Sequence, residues 1–208
     1  MARLSAQSIR DLCVGVPKPM LVPFQADKLV VSGKSCGLSA ASYDCRINHD
    51  LVLGPHPGYV LRNYLLGRSD EEIATAEYNA RIEGKTYEPF SFMELRERFK
   101  NTPECYSLAY TIEKFHMPNK VSADVADKST YARLFVSHFN TFIDPGFIGD
   151  LTLEIINLGN ETIEIKAGDP ICQIIFTWLD EETEKPYGDG DKYQHQKGAT
   201  PAIMERAK

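Results

Sequence analysis

Residues 126–157 read ADKSTYARLFVSHFNTFIDPGFIGDLTLEIIN, and this stretch decides the fold. It ends in an apolar run over residues 151–157, which a sharp Ile-Asp-Pro-Gly turn at 143–146 precedes. Leucine and isoleucine in a short run after a Pro-Gly turn are typical of a β-strand. The stretch therefore predicts a β-rich chain in which this strand is central.

The same stretch carries a small polar and basic cluster. Lys128, Ser129 and Thr130 stand together, and Arg133 follows three residues later. Proteins bind phosphate with cations and hydroxyl groups. Glu154 lies in the middle of the apolar strand, where a carboxylate is costly unless something satisfies it. The combination predicts a site that binds a phosphorylated small molecule and performs proton chemistry on it.

From the residues alone, plainer interpretations stay open. A polar turn is the default for residues 128–130. Glu154 fits the solvated face of an edge strand equally well, because Thr152 shares its face, although Ile156 does too. Glu164 is a useful contrast, since the strand around it alternates cleanly and predicts a carboxylate that is merely solvated.

Outward from this stretch, alternation and turn residues predict many short strands and few helices. A helix is expected at 4–13 with Ser5 as its cap, and an ion pair is expected between Asp44 and Arg46 on one strand face. A two-residue hairpin turn is expected at Gly159 and Asn160. The predicted strands are 28–31, 42–53, 105–118, 151–157, 162–166 and 170–179, with a glycine-bearing turn at 33–38. Polar and apolar residues alternate over 42–53 as they do in a half-buried strand. An all-β sandwich or barrel follows.

Composition narrows the function classes. The chain has 208 residues and a formal net charge of −6, which argues against a dedicated nucleic-acid binder. We expect no membrane role, because no apolar run approaches the length of a spanning helix, and we expect a cytoplasmic protein without a signal peptide. The five cysteines show no Cys-x-x-Cys spacing and are expected to be free, buried apolar side chains rather than disulfides or zinc ligands.

Seven segments in order resemble the dCTP deaminases, within the superfamily that also holds the trimeric dUTPases. The resemblance covers almost the whole chain apart from residues 65–102. The segments are LSAQSIRDL (4–12), GLSAASYDCRI (37–47), PECYSLAYTIEKFHMP (103–118), DKSTYAR (127–133), IDPGFIGDLTLEIIN (143–157), AGDPICQIIF (167–176) and KYQHQKGAT (192–200).

The resemblance implies an all-β-dominated fold, a dUTPase-like distorted β-barrel or jelly roll with a few short helices. Residues 1–180 would form a single β domain, and residues 181–208 a C-terminal tail that closes over the nucleotide. Without the resemblance, disorder is the default for that tail. Capping-box patterns at 69–72 and 91–94 predict a helical insertion at about 65–102, which is expected to cover a sheet edge rather than contact substrate.

The implied activity is hydrolytic deamination of dCTP to dUTP and ammonia without zinc, by a water that a glutamate activates. Mg²⁺ would travel with the triphosphate, and no protein side chain would bind a metal. The resemblance also implies a homotrimer with active sites between subunits, and dTTP as a possible feedback inhibitor.

The resemblance also gives roles to residues. Glu154 would be the general base, Arg133 would hold the catalytic geometry, and Ser129 would assist. The substrate-binding residues would be Lys128, Ser129, Thr130, Arg133, Thr141, Asp144, Tyr187, Lys192 and Gln196, with Asp144 contacting the deoxyribose 3′-hydroxyl.

Two departures and several rival functions leave the substrate open. Lys128 stands where arginine is commoner, and Phe135 stands where many members have glycine, so the preferred base is not determined. A dUTPase that releases dUMP and pyrophosphate is one rival, and a bifunctional deaminase and dUTPase is another. A silent nucleotide-binding regulator and a β-sandwich interaction module are weaker rivals. A zinc deaminase would need His-x-Glu and Pro-Cys-x-x-Cys, which the sequence lacks.

Overall fold

Two main β-sheets contribute to one apolar core in this computed structural model, which describes residues 2–58, 78–79, 81–84, 100 and 102–204. The capping boxes at 69–72 and 91–94, and most of the insertion predicted at 65–102, lie outside these residues. The strands are β1 (Ala2–Arg3), β2 (Leu21–Val22), β3 (Leu29–Val31), β4 (Lys34–Leu38), β5 (Tyr43–Arg46), β6 (Leu51–Leu53), β7 (Tyr106–His116), β8 (Val121–Asp127), β9 (Val136–His138), β10 (Phe142–Ile143), β11 (Ile148–Asn157), β12 (Ile163–Ile165) and β13 (Pro170–Trp178).

Two short helices have both ends in the described part of the chain, α1 (Ala6–Asp11) and α2 (Ser129–Ala132). The hydroxyl of Ser5 accepts a hydrogen bond from the backbone N–H of Ser8 at 3.3 Å, so the predicted cap of the first helix is confirmed. The predominance of strands confirms the all-β fold class with few short helices. None of the described helices is long and apolar enough to span a membrane.

The larger sheet has the strand order β10-β8-β13-β5-β4-β3, and β1 pairs with β13 beside this path. The smaller sheet has the order β2-β7-β11-β9, and β12 pairs with β6 in a third, two-stranded sheet. Both main sheets are antiparallel and send apolar side chains into the same core. The long strand β11 therefore lies between β7 and β9 rather than at a sheet edge.

Two local predictions for the first quarter of the chain are wrong. Residues 34–38 form β4 rather than a turn, because two residues, Ser32 and Gly33, suffice to reverse the chain between β3 and β4. The strand predicted at 42–53 is two strands, β5 and β6. The first is not half-buried, since β4 and β13 flank it and its residues 43–45 are all buried.

The hairpin predicted at Gly159 and Asn160 is also wrong. β12 pairs with β6, not with β11. The buried side chain of Asn157 ends β11: its amide nitrogen donates to the carbonyl oxygens of Gly54 and Glu161 at 2.8 Å each, and its oxygen accepts from the N–H of Gly159 at 2.8 Å. These bonds turn the chain toward β6 before a hairpin can form.

The ion pair predicted between Asp44 and Arg46 is wrong. Arg46 Nε lies 2.8 Å from Glu113 Oε1, and the Glu113 side chain is fully buried. Asp44 Oδ2 lies 2.8 Å from Lys128 Nζ, and both of these side chains are buried. Each charge therefore joins strands that are distant in sequence. The free state predicted for the five cysteines is confirmed.

We predict that Asn157→Ala lowers the free energy of unfolding by about 2–4 kcal/mol, because it leaves two carbonyl groups and one N–H near β11 without their partner. Urea unfolding followed by the fluorescence of Trp178 measures the change at fixed protein concentration. Asn160→Ala is the matched control, since Asn160 is exposed and close in sequence. An equal effect of both substitutions would contradict the anchoring role of Asn157.

Candidate active site

A cavity of about 650 Å³ opens beside β11 and gathers residues from three separate parts of the chain. One part is the adjacent strands β7 and β11, the second is residues 141–147, which include β10 and the turn after it, and the third is the C-terminal tail. The lining residues are Tyr106, Leu108, Thr141, Phe142, Ile143, Asp144, Phe147, Leu151, Thr152, Glu154, Tyr187, Asp191, Lys192, Tyr193, Gln196, Thr200 and Ala202.

Glu154 lies in the middle of β11, opposite Leu108 of β7, and its side chain is half-buried at the cavity wall. The edge-strand interpretation is therefore wrong. Partial burial raises the pKa of the Glu154 carboxyl group above its ordinary value, because the charged form loses hydration. A raised pKa brings a carboxyl group closer to the pH at which it can both accept and return a proton.

Asp144 lines the same cavity and lies in the turn predicted at 143–146, and the structure confirms this turn. The N–H of Phe147 donates to the carbonyl oxygen of Asp144 at 3.2 Å and closes the turn, and Gly146 has a φ of 86°. Burial raises the pKa of the Asp144 carboxyl group, and the nearby charge of Asp191 raises it further. The turn thus places a second tuned carboxyl group in the cavity that holds Glu154.

The tail is ordered along the edge of β11 that β9 leaves open. β9 pairs only with residues 155–157 of β11. Farther along, the N–H of His195 donates to the carbonyl of Ile148 at 2.7 Å, and the N–H of Asp150 donates to the carbonyl of Gln196 at 3.0 Å. The default of disorder is therefore wrong for this segment. Its course brings Tyr187, Lys192 and Gln196, three predicted site residues, to the cavity wall.

Two glycines make this close approach possible. A Cβ atom at Gly149 would lie 3.1 Å from both the backbone nitrogen and the backbone oxygen of Gln196. A Cβ atom at Gly146 would lie 2.7 Å from the carbonyl oxygen of Tyr187. The turn before β11 therefore has the shape that the tail requires.

The structure brings six of the ten predicted site residues together and leaves four apart. Thr141 completes the set of six, with Glu154, Asp144 and the three tail residues. The described residues that line the cavity do not include the four of the polar and basic cluster, Lys128, Ser129, Thr130 and Arg133.

That polar and basic cluster lies on and beside α2. Ser129, Thr130 and Arg133 are exposed, whereas Lys128 is buried and donates to Asp44. Tyr131, on the opposite side of the helix turn, is buried and donates to Asp169 at 3.1 Å. The buried bonds of Lys128 and Tyr131 thus hold the helix against the protein, and two hydroxyl groups and a guanidinium group are exposed at its surface.

Several residues at or beside the cavity were not predicted from the sequence. Thr152 lies two positions before Glu154 on the same strand face, so alternation alone could have identified it. Asp191 and Tyr193 flank Lys192, and Asp150 bonds to the tail below the cavity. A polar tail gives no periodic signal, and only its contacts show which of its side chains face inward.

Within the described ranges, no three His, Cys, Asp or Glu side chains converge as metal ligands would. Glu164 is exposed, as its alternating strand predicted.

Comparisons with known proteins show which family the chain resembles. A family model described as dCTP deaminase-like matches residues 28–179. The dCTP deaminase of Campylobacter concisus is 32% identical over 200 residues, covering 92% of this chain and 94% of that protein. The dCTP deaminase of Helicobacter pylori (strain Shi470) is 32% identical over 192 residues, covering 89% and 91%. The solved structure of 2'-deoxycytidine 5'-triphosphate deaminase from Agrobacterium tumefaciens has a TM-score of 0.46 and 18% identity, covering 84% of this chain and 47% of that chain.

We predict that Glu154→Gln raises the Tm at pH 7. With a raised pKa in the folded state, the ionised carboxylate opposes folding at any pH above that pKa, and the neutral amide removes the penalty. The difference in Tm should vanish below pH 4, where the carboxyl group is protonated in the folded and unfolded states. Thermal unfolding at both pH values measures it.

Glu164→Gln is the control for that prediction, because it removes the same charge from an exposed side chain and should change the Tm little. A lower Tm of Glu154→Gln at pH 7 would show that the carboxylate stabilises the fold instead.

Proposed function

The chain belongs to the dCTP deaminase-like family, and we propose that it converts dCTP and water into dUTP and ammonia. The observation that supports this most directly is the position of Glu154. Its half-buried carboxyl group shares one cavity with Asp144 and with the tail residues Tyr187, Lys192 and Gln196. These are the residues to which the family resemblance gave the roles of base, ribose contact and closing tail.

In the proposed mechanism, Glu154 takes a proton from a water molecule as the water oxygen bonds to C4 of the cytosine ring. The same carboxyl group then gives that proton to N3, which neutralises the charge that develops on the ring. A proton of the new C4 hydroxyl group passes to the amino nitrogen, the C4–N bond breaks, and ammonia leaves with C4 as a carbonyl. One carboxyl group can serve all three transfers if its pKa lies near the working pH.

The remaining cavity residues fit a deoxynucleotide triphosphate. The carboxylate of Asp144 would accept a hydrogen bond from the 3′-hydroxyl group, and Thr141, Tyr187 and Gln196 would complete the nucleotide contacts. The ammonium group of Lys192 would face the phosphates. Mg²⁺ would enter on the triphosphate, as the family resemblance implies.

The polar and basic cluster would complete the site from another subunit of a homotrimer. Ser129, Thr130 and Arg133 are exposed, and the cavity of the same chain does not include them. An exposed pair of hydroxyl groups with a guanidinium group suits the phosphates and the catalytic water of a neighbouring cavity. Lys128 has two further N–H donors beyond its bond to Asp44, so contact with phosphate is compatible with that ion pair.

We predict that purified protein with Mg²⁺ and dCTP releases ammonia and dUTP. Glu154→Gln should lower kcat by about 10²–10⁴-fold and leave nucleotide binding largely intact, because it removes the base but keeps the shape of the site. Ammonia, dUTP, dUMP and pyrophosphate are measured together, and binding is measured by calorimetry. Glu164→Gln is the control and should keep full activity.

The product pattern separates the rivals. Ammonia with dUMP and pyrophosphate would indicate the bifunctional enzyme. Pyrophosphate from dUTP, with no ammonia from dCTP, would indicate a dUTPase and would remove Glu154 from the proposed role. Including dTTP in the same assay tests feedback inhibition.

We predict that two inactive variants restore each other's activity when they are co-expressed. A shared site needs Glu154 from one subunit and Arg133 from a neighbour, so some sites in mixed trimers of Glu154→Gln and Arg133→Ala are intact. Random mixing should give about a quarter of the wild-type activity. No recovery in verified mixed trimers would place both residues in one chain's site.

A further inference from the structure

Asp150 is a buried carboxylate on β11 that the proposed chemistry does not use. It lies four residues before Glu154 and is 7% exposed. A buried carboxylate needs hydrogen bonds or a close cation to offset its lost hydration. The partners that the Asp150 carboxylate contacts therefore indicate its role.

The main partner of this carboxylate is the tail. Asp150 Oδ2 accepts a hydrogen bond from the backbone N–H of Gly198 at 2.8 Å. Lys114 Nζ lies 3.6 Å from Oδ1, but the Lys114 side chain is 59% exposed and contributes little through solvent. A short bond from an N–H to a charged acceptor is stronger than a neutral one.

The backbone of Asp150 bonds to the tail as well. Its N–H donates to the carbonyl of Gln196 at 3.0 Å, and its carbonyl accepts from Nε2 of Gln196 at 2.7 Å. Two residues on, the hydroxyl of Thr152 accepts from the N–H of Thr200 at 3.1 Å. The tail is thus fixed on both sides of Gly198, and Gln196 and Thr200, which flank it, line the cavity.

We propose that Asp150 is a positioning residue that fastens the tail over the cavity through its bond to Gly198. The inference rests on the proposed function for its kinetic consequence, but not for its structural one. The Asp150 side chain contacts the tail and not the substrate, so it affects the substrate only through the tail residues that it positions. Loss of the bond leaves the carboxylate without its main partner and lets residues 193–200 leave β11.

Hydrogen exchange of full-length wild-type protein and variants tests the structural part without substrate. Asp150→Ala should lower the protection of the Gly198 amide by about tenfold or more, because a bond to a charged acceptor is lost. Asp150→Asn should keep most of the protection, since its amide oxygen can still accept. Lys114→Ala should also keep it, because the Gly198 bond remains.

Gly149→Ala is an independent variant that keeps the carboxylate. It should also release the tail, because the added Cβ atom would crowd Gln196. Unchanged protection of residues 193–200 in Asp150→Ala would overturn the proposal.

Steady-state kinetics with dCTP tests the consequence. Asp150→Ala should raise KM about tenfold with a smaller change in kcat, and Asp150→Asn should restore KM. A released tail with an unchanged KM would overturn the positioning role. If wild-type protein has no deaminase activity, the proposed function fails, while the exchange data still decide whether Asp150 fastens the tail.

Discussion

The rest of the structure depends on how the two edges of β11 are paired. β7 covers one edge along almost the whole strand. The other edge is divided: β9 pairs with residues 155–157, and the tail bonds to Ile148 and Asp150. Glu154 lies between the part of this edge that pairs with β9 and the part that bonds to the tail, and its side chain is half-buried. The pKa of its carboxyl group is raised because the side chain is partly buried at the cavity wall and its charged form loses hydration.

Alternation and turn residues predicted elements that are local in sequence. The strands at 105–118, 151–157 and 170–179, the Ser5 cap and the turn at Asp144 all follow from periods and turn chemistry within about ten residues. Predictions from the sequence were wrong where a side chain bonds to a residue far away in the sequence. Asn157 bonds to Gly54 and so replaces a hairpin with a pairing to β6. Asp44 and Arg46 looked like partners, but each pairs with a residue that the fold brings from far along the chain.

The candidate site shows the same division. Resemblance to a family supplied ten residues, and the cavity holds the six that come from β11, from residues 141–144 and from the tail. Residue patterns alone did not decide whether Glu154 is catalytic or merely solvated, and they predicted a disordered tail. Its order arises from backbone bonds to one strand edge and from glycines that leave room for it, and neither feature has a periodic signature. Three residues of the polar and basic cluster, Ser129, Thr130 and Arg133, are exposed on their own chain. In the proposed function they complete a site in another subunit, and a single sequence does not encode such an arrangement locally.

The tail along β11 also bears on self-association, because it covers part of a sheet edge. When it lies in place, it satisfies backbone groups of Ile148 and Asp150 that would otherwise form an open sheet edge. An open edge is a template on which another chain can add a strand, and aggregation begins at such edges. In the proposed function the tail closes over the nucleotide, so each opening would expose this strand edge to other chains. A charged side chain beside a sheet edge disfavours pairing with another strand. The carboxylate of Asp150, which binds the tail in the closed arrangement, would therefore also act on this edge when the tail is open.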